Sequence, residues 1–366
     1  MRGGWAVTAA PKPSEGAAGM MRGESIPVGT MTDVDAWVAD HWGRWLSDGT
    51  AAPATSCLLK GQRQQRVTVF YFAGAARRPA VVVKVAAHAT WGSPARREFE
   101  ALQAVRSAAS PSLADAVPMP LGLYEREAVA AVAMEAVPGN RYDLPDLTRA
   151  HTSRFAQRAV RRYLAAAATV SADLAETAAT GTSQPVATLA SRVSTYRAQA
   201  PLSPAADGRL AGFIQTLAAT DGRYVPAWQH GDVAPGNLLL TRDGPRLIDW
   251  EAAHPEHLPW FDRAYSWLSL ARLTHRRAGS WSCARALLHL FDLRGSLGAD
   301  LSRGTQERWD HPIPPRWAMV LTAIELALTY GEPGVEVWTP YLEALLCDED
   351  VRDACAWLVP AEADLA

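Results

Sequence analysis

Asp232, Asn237 and Asp249 are the residues whose types and spacing suit a chemistry. They lie in the stretch YVPAWQHGDVAPGNLLLTRDGPRLIDWEAA, residues 224–253. Short apolar pieces, Val225–Trp228, Leu238–Leu240 and Leu247-Ile248, alternate with polar clusters that carry turn residues. Each piece reads as a strand and each break as a loop. Thr241-Arg242-Asp243-Gly244 is a turn sequence, and a hairpin there brings Asn237 and Asp249 to the same end. Two carboxylates and an amide oxygen gathered at loop ends suit phosphoryl transfer. One carboxylate orients and deprotonates an attacking hydroxyl, while the other and the amide hold Mg2+ against a triphosphate.

Asp and Asn also favour turns through local backbone bonds, so the weight lies on the three together. Asp232 and Asn237 are five positions apart, and Asp249 follows Asn237 by twelve, beyond the hairpin. The first gap is that of a kinase catalytic loop, Asp-x-x-x-x-Asn. His230, just before Gly231-Asp232, reads as a scaffold that holds the loop by hydrogen bonds, not as a catalytic group.

HGD-x-x-x-x-N followed by IDWE resembles the motif pair of the aminoglycoside phosphotransferases and their choline-kinase-like relatives. The resemblance implies an α+β, bilobal protein-kinase-like fold, with a small antiparallel-sheet N-lobe and a mainly helical C-lobe. It implies transfer of the γ-phosphate of ATP, or GTP, with Mg2+, to a hydroxyl of a small molecule: an aminoglycoside-like antibiotic, an amino alcohol or a sugar. In that frame Asp232 is catalytic, and Asn237 and Asp249 hold the metal. An Asp in the place of Asp262 braces the catalytic loop in the family, and Asp262 is expected to be structural here.

The elements that must position these groups are also legible. Val67–Phe72 and Ala80–Ala86 read as strands joined by a turn at Gly74–Pro79. The second strand carries Lys84. The chain has three lysines, Lys12, Lys60 and Lys84, among 36 basic residues, the rest being arginine, so a lysine here points to a need for its own geometry. An ammonium within an apolar strand is costly unless paired, and phosphate oxygens with a nearby carboxylate would pair it. The resemblance gives it that role. A helix opening at Ser93-Pro94 and running to Val105 should supply the carboxylate. Phe99 is expected to face the core, with Glu98 and Glu100 to either side. Arg97-Glu98-x-x-x-Leu102 is similar to the family pattern, which favours Glu98 and leaves Glu100 as the alternative.

The loop over the phosphates falls between the first two strands, at Leu58–Arg66, and has one glycine, Gly61. Its backbone amides could still cap phosphates. No G-x-x-x-x-G-K-[ST] run exists, which excludes a P-loop NTPase. The resemblance makes 128–140 the linker where adenine meets the backbone of Glu135 and Val137, with Met134 behind it.

Helices are expected at 32–48, capped by Thr32 or Asp33, and at 152–178, 186–199, 204–219, from Asp262, and at 282–292, 315–331 and 338–358. Residues 1–31 read as a loose tail in which Met20, Met21 and Met31 are alternative starts. The domains are then 1–31 flexible tail, 32–138 N-lobe and 139–366 C-lobe. Between Glu325 and Asp353, eight acidic residues face one arginine. In the family, helices in this region line the acceptor pocket, where acid would suit a cationic acceptor; a solvated charged face is the plainer reading.

A net charge of −2 gives no global field for nucleic acid or an anionic membrane. Four scattered cysteines with no C-x-x-C pair speak against a zinc site or disulfide scaffold and fit a reducing cytosol. No apolar run approaches a membrane span. Two alternatives stay open: a catalytically silent nucleotide-binding or interaction module, and a metal-dependent hydrolase using His230 and Asp232, with His254-x-x-His257 as its weak further signal.

Overall fold

The computed structural model describes residues 28–46, 53–60, 67–74, 76, 78–108, 110–126, 129–141, 153–177, 182–291, 309 and 311–355. Helix α1 (Val28–Trp45) precedes strands β1 (Pro53–Lys60), β2 (Val67–Ala73) and β3 (Pro79–Ala87). Then come α2 (His88–Ala108), α3 (Pro111–Ala116), β4 (Pro120–Arg126) and β5 (Val129–Glu135). The five strands form one antiparallel sheet in the order β1-β2-β3-β5-β4, so β3 is central.

Strand alternation decides what each face of that sheet meets. Val81, Val83 and Val85 of β3 join Ala131 and Ala133 of β5 in a core closed by Val34, Val38 and Trp42 of α1. The intervening residues point the other way. Ala86, Ala130, Val132 and Met134 pack with Ala95, Leu102 and Val105 of α2 in the larger core. Lys84, opposite Val132 in the ladder, therefore belongs to the α2 side.

The chain leaves this sheet after Glu135, and β6 (Asn140–Arg141) pairs instead with a strand of the remainder. That remainder is mainly helical: α4 (Arg154–Thr177), α5 (Leu189–Gln199) and α6 (Pro204–Ala219), with a short pair β7 (Gln184–Pro185) and β8 (Arg223–Tyr224). Next are β9 (Ala227–Gln229), β10 (Leu238–Leu240), β11 (Pro245–Leu247) and β12 (His254–His257). Helices α7 (Phe261–Ala278), α8 (Cys283–Phe291), α9 (Pro315–Tyr330), α10 (Glu332–Cys347) and α11 (Glu349–Ala354) follow. α7 packs on α4, α8 and α9 around buried aromatics, including Trp250 and Trp260, both wholly inaccessible. The sheet-rich first part and helical remainder are the bilobal α+β fold that the motifs imply. Among the described residues, no helix is long and apolar enough to cross a membrane.

Several boundaries differ from expectation, each for a physical reason. α1 starts by Val28, ahead of Thr32, because Met31 also packs on the sheet core and rewards the extra turn. β1 runs to Lys60, paired with Val67, so Leu58–Lys60 are strand, not loop. Gly61 and the rest of the expected phosphate loop lie outside the described residues. α2 begins at His88 and encloses Pro94, which removes one backbone bond without ending the helix. β4 was not expected; its Gly122 lowers strand propensity, and Trp37 and Trp45 lie against that glycine, where a Cβ would come within 2.9 Å of Trp37. The helix expected at 338–358 is two. α10 begins at Glu332, and Asp348 breaks the run by accepting the Val351 amide, which starts α11. Val225 and Pro226 are not in a strand; Val225 is exposed and β9 starts at Ala227.

Candidate active site

Lys84 sets the geometry of the site. Its Nζ donates to Glu98 Oε1 at 2.5 Å and to Asp249 Oδ1 at 2.6 Å. The lysine is 8% exposed and Glu98 wholly buried. The Glu98 position follows from α2 itself: Ala95, Glu98, Ala101, Leu102 and Val105 form its buried stripe, while Phe99 is only half-buried and Glu100 exposed. The partner is thus on the core face, not beside it. Glu98 Oε1 also accepts the Trp250 amide at 3.1 Å, which ties α2 to the turn after Asp249. Its Oε2 is buried and has no hydrogen-bond partner among the described residues.

The hairpin β10–β11 places Asn237 and Asp249. Thr241 closes it: its amide and its hydroxyl donate to the Gly244 carbonyl at 3.1 and 2.8 Å. At the open end the Ile248 amide donates to the Asn237 carbonyl at 2.9 Å, so the residue after Ile248 emerges beside Asn237. Asp249 has φ +72°, the one left-handed non-glycine among the described residues. An L side chain in that conformation costs about 1 kcal/mol or more and persists where the surroundings over-determine it. Here Lys84 and the Glu98–Trp250 bond do so.

Asp232 is held on both oxygens. The Asn237 Nδ2 donates to Oδ2 at 2.7 Å and to the Asp232 carbonyl at 3.0 Å. The Tyr265 hydroxyl donates to Oδ1 at 2.6 Å. Burial raises the Asp232 carboxyl to about 6, against the lowering effect of those two bonds.

The loop carrying Asp232 is braced from behind. The wholly buried Asp262 accepts the His230 amide at 2.6 Å and the Gly231 amide at 2.8 Å. Burial pushes its carboxyl up to about 7. Tyr163 of α4 donates to the Val233 carbonyl at 2.6 Å. His230 is fully committed: Nδ1 accepts the Asp232 amide at 3.2 Å, so Nε2 carries the proton and donates to the Ile248 carbonyl at 3.1 Å. Burial lowers its pKa to about 4, and the neutral imidazole is a strut. Gly231, at φ +81°, admits no side chain: a Cβ would meet the Ala252 carbonyl oxygen at 2.4 Å.

Lys84, Glu98 and Asp249 are therefore brought together, and Asp232 and Asn237 form a second bonded pair joined to them through the hairpin. Met134 lies in the core with 4% exposure, and Glu135 and Val137 are half-buried. The Glu135 amide already donates to the Met119 carbonyl at 2.9 Å, which removes it as a donor to a ligand. His254 and His257 spend Nδ1 on the Glu256 and Leu258 amides. Among the described residues, the carboxylate, imidazole and thiol groups close enough to share an ion are Glu98, Asp249 and Glu251, with ligand atoms within 4.8 Å of one another. The acidic residues of 325–353 are partly spent on structure. Glu325 pairs with Arg192 at 2.5 Å, Glu343 accepts the Ser203 amide at 2.7 Å, and Asp348 caps α11.

Two members of the site carried too little signal to find in the sequence. Tyr265 stands one turn after Asp262, but an aromatic in a helix core usually packs. Glu251 lies two residues after Asp249 and inside IDWE, yet its approach to Glu98 depends on the turn Trp250–Ala252.

Comparison with curated proteins gave no match. Among solved structures, a thermostable mutant of the aminoglycoside phosphotransferase APH(4)-Ia in complex with AMP-PNP and hygromycin B is similar. The TM-score is 0.51 at 16% identity, covering 88% of this chain and 98% of that one. The apo form of a thermostable mutant of the same phosphotransferase gives 0.50 at 17% identity, over 87% and 98%. A glucosamine kinase gives 0.47 at 18% identity, over 91% and 86%. At such identities the likeness to APH(4)-Ia is one of fold. The model of the phosphotransferase enzyme family matches residues 63–297, a span that takes in β2, β3, the Lys84–Glu98 pair and the whole hairpin. With more than half its length matched, the chain belongs to the phosphotransferase enzyme family.

Proposed function

We propose that this protein is a small-molecule kinase that moves the γ-phosphate of ATP to an acceptor hydroxyl. The observation that supports it most is the meeting of Lys84, Glu98 and Asp249: a strand-borne ammonium, a helix carboxylate and a hairpin-end carboxylate, drawn from three separate segments. We place the nucleotide between an N-lobe ending at 138 and a C-lobe starting at 139, with its adenine against Met134, the Glu135 carbonyl and the Val137 amide.

In this reading Lys84 releases Asp249 and takes up α/β-phosphate oxygens, while Glu98 keeps the ammonium aimed. The donor set fits Mg2+. Asn237 turns its Nδ2 to Asp232, so its Oδ1 is the atom aimed elsewhere, and Asp249 adds a carboxylate; the ion takes such oxygen donors. When bound, the ion would neutralise charge on the phosphates. Asp232, fixed by Tyr265 and Asn237, orients the acceptor hydroxyl and accepts its proton. As the acceptor oxygen bonds to the γ-phosphorus, the bond to the β-bridging oxygen breaks and ADP leaves. Positioning and charge neutralisation carry the catalysis.

The test is coupled ADP release across a panel of hydroxyl compounds, with wild type and Asp232→Ala side by side. Acceptor-dependent ADP release lost in Asp232→Ala is the expected result. Equal turnover by the variant would remove Asp232 from the chemistry.

A further inference from the structure

The face of α7 that carries Tyr265 also carries Arg272, seven residues or about two turns further on. Trp338 of α10 links them: its ring lies 6.3 Å from that of Tyr265, and the Arg272 guanidinium sits over it at 5.6 Å. Arg272 is half-buried, and among the described residues no carboxylate or carbonyl is hydrogen-bonded to its guanidinium, which rests on that ring. A guanidinium carries five donors, stays charged, and matches carboxylate or phosphate in a fork. Its charge reaches Asp232, Tyr330 and Tyr341. Tyr330 is 56% exposed, and the exposed Arg276 lies one turn beyond Arg272.

Three of the acids that might have made this side negative are committed elsewhere. Glu325 faces Arg192, Glu343 faces a backbone amide and Asp348 caps a helix, while Glu332 and Glu336 are exposed. The ground next to Asp232 is thus an aromatic wall with a cation that no carboxylate pairs among the described residues. A polycationic acceptor would be repelled by it. A hydroxyl compound with an anionic group would be drawn in and turned so that its hydroxyl meets Asp232.

We propose that Arg272 selects the acceptor, and that the acceptor is a hydroxyl compound bearing a carboxylate or phosphate. Naming the ligand an acceptor rests on the phosphotransfer reading above; the anion site does not.

Glucuronate, glucose and glucosamine share one ring and differ in charge, so they serve as probes. Binding is read as the thermal shift each gives to the full chain with Mg2+ and AMP-PNP, in wild type, Arg272→Gln and Arg272→Lys. Turnover is read as ADP release with ATP. Glucuronate should raise Tm in wild type, the rise should vanish in Arg272→Gln and persist in part in Arg272→Lys, and glucosamine should give none. In turnover, Arg272→Gln should lower kcat/KM for glucuronate by roughly tenfold or more, as loss of a charged hydrogen bond does, with KM for ATP unchanged. No shift with glucuronate, a shift equal in Arg272→Gln, or a preference for glucosamine would overturn the proposal. So would an equal loss with all three sugars, which would place Arg272 on the transferred phosphoryl group. A shift lost in Arg272→Gln without any ADP release would keep the anion site and sink the phosphotransfer reading instead.

Discussion

Tyr265 donates its hydroxyl to Asp232 Oδ1 at 2.6 Å, from the turn of α7 that follows Asp262. One helix therefore fixes both the backbone of the Asp232 loop, through Asp262, and the Asp232 side chain, through Tyr265. Tyr265→Phe keeps the ring packing and deletes the bond. A hydrogen bond to a charged group contributes about 1.5–3 kcal/mol, so kcat should fall roughly tenfold to a hundredfold. Mg-ATP affinity should stay near wild type, because Tyr265 touches neither Lys84 nor Asp249. Steady-state kinetics with ATP varied at saturating acceptor separates the two, and an unchanged kcat would refute the role.

Lys84 and Glu98 are a buried pair, and removing one partner strands the other. Lys84→Met should cost about 3–5 kcal/mol of stability and abolish nucleotide binding. Adding Glu98→Gln should recover much of that stability, since the neutral amide oxygen can still accept the Trp250 amide, but should not restore binding. Urea unfolding and ATP titration of wild type, single and double variants check this. Recovery of binding in the double variant would show that Lys84 does not hold phosphate.

Asp262 titrates in the fold at about 7, against an ordinary 3.8, because it is buried. The folded form holds its proton while the unfolded chain has lost it. This group's contribution is complete below about pH 4 and is lost as pH rises to 7. Asp262→Asn cannot titrate, and its Nδ2 faces one of the two amides, leaving it unmatched at a cost of about 1–3 kcal/mol. The stability gap between wild type and variant should therefore be widest near pH 4 to 5 and shrink towards pH 8. Taking the difference cancels the opposite trend of His230, lowered to about 4. Urea unfolding at several pH values measures it, and a gap that widens with pH would contradict it.

Much of the fold and the pairing of Lys84 with Glu98 could be read from the sequence, for local reasons. The hairpin turn Thr241–Gly244, the alternation of β3 and the Ser203-Pro204 start of α6 are each determined within a few residues. Glu98 could be chosen over Glu100 from a motif, yet its burial comes from its place between Ala95 and Leu102 on one helical stripe. What stayed hidden depends on contacts between distant segments. Tyr265 reaches Asp232 across 33 positions. The partners that Glu325, Glu343 and Asp348 of the acidic run near the C-terminus find in α5, before α6 and in α11 are likewise set by contacts that the run itself does not encode. Asp348 ends a helix that periodicity alone would continue.

The most direct test is calorimetric titration of ATP, with and without Mg2+, into wild type, Asp249→Ala and Asp232→Ala. Wild type should need Mg2+ for tight binding. Asp249→Ala should lose roughly tenfold or more in affinity, the usual cost of removing a charged ligand-binding group, while Asp232→Ala should bind as wild type does. Affinity indifferent to both Mg2+ and Asp249→Ala would contradict a nucleotide site built on Lys84, Asn237 and Asp249.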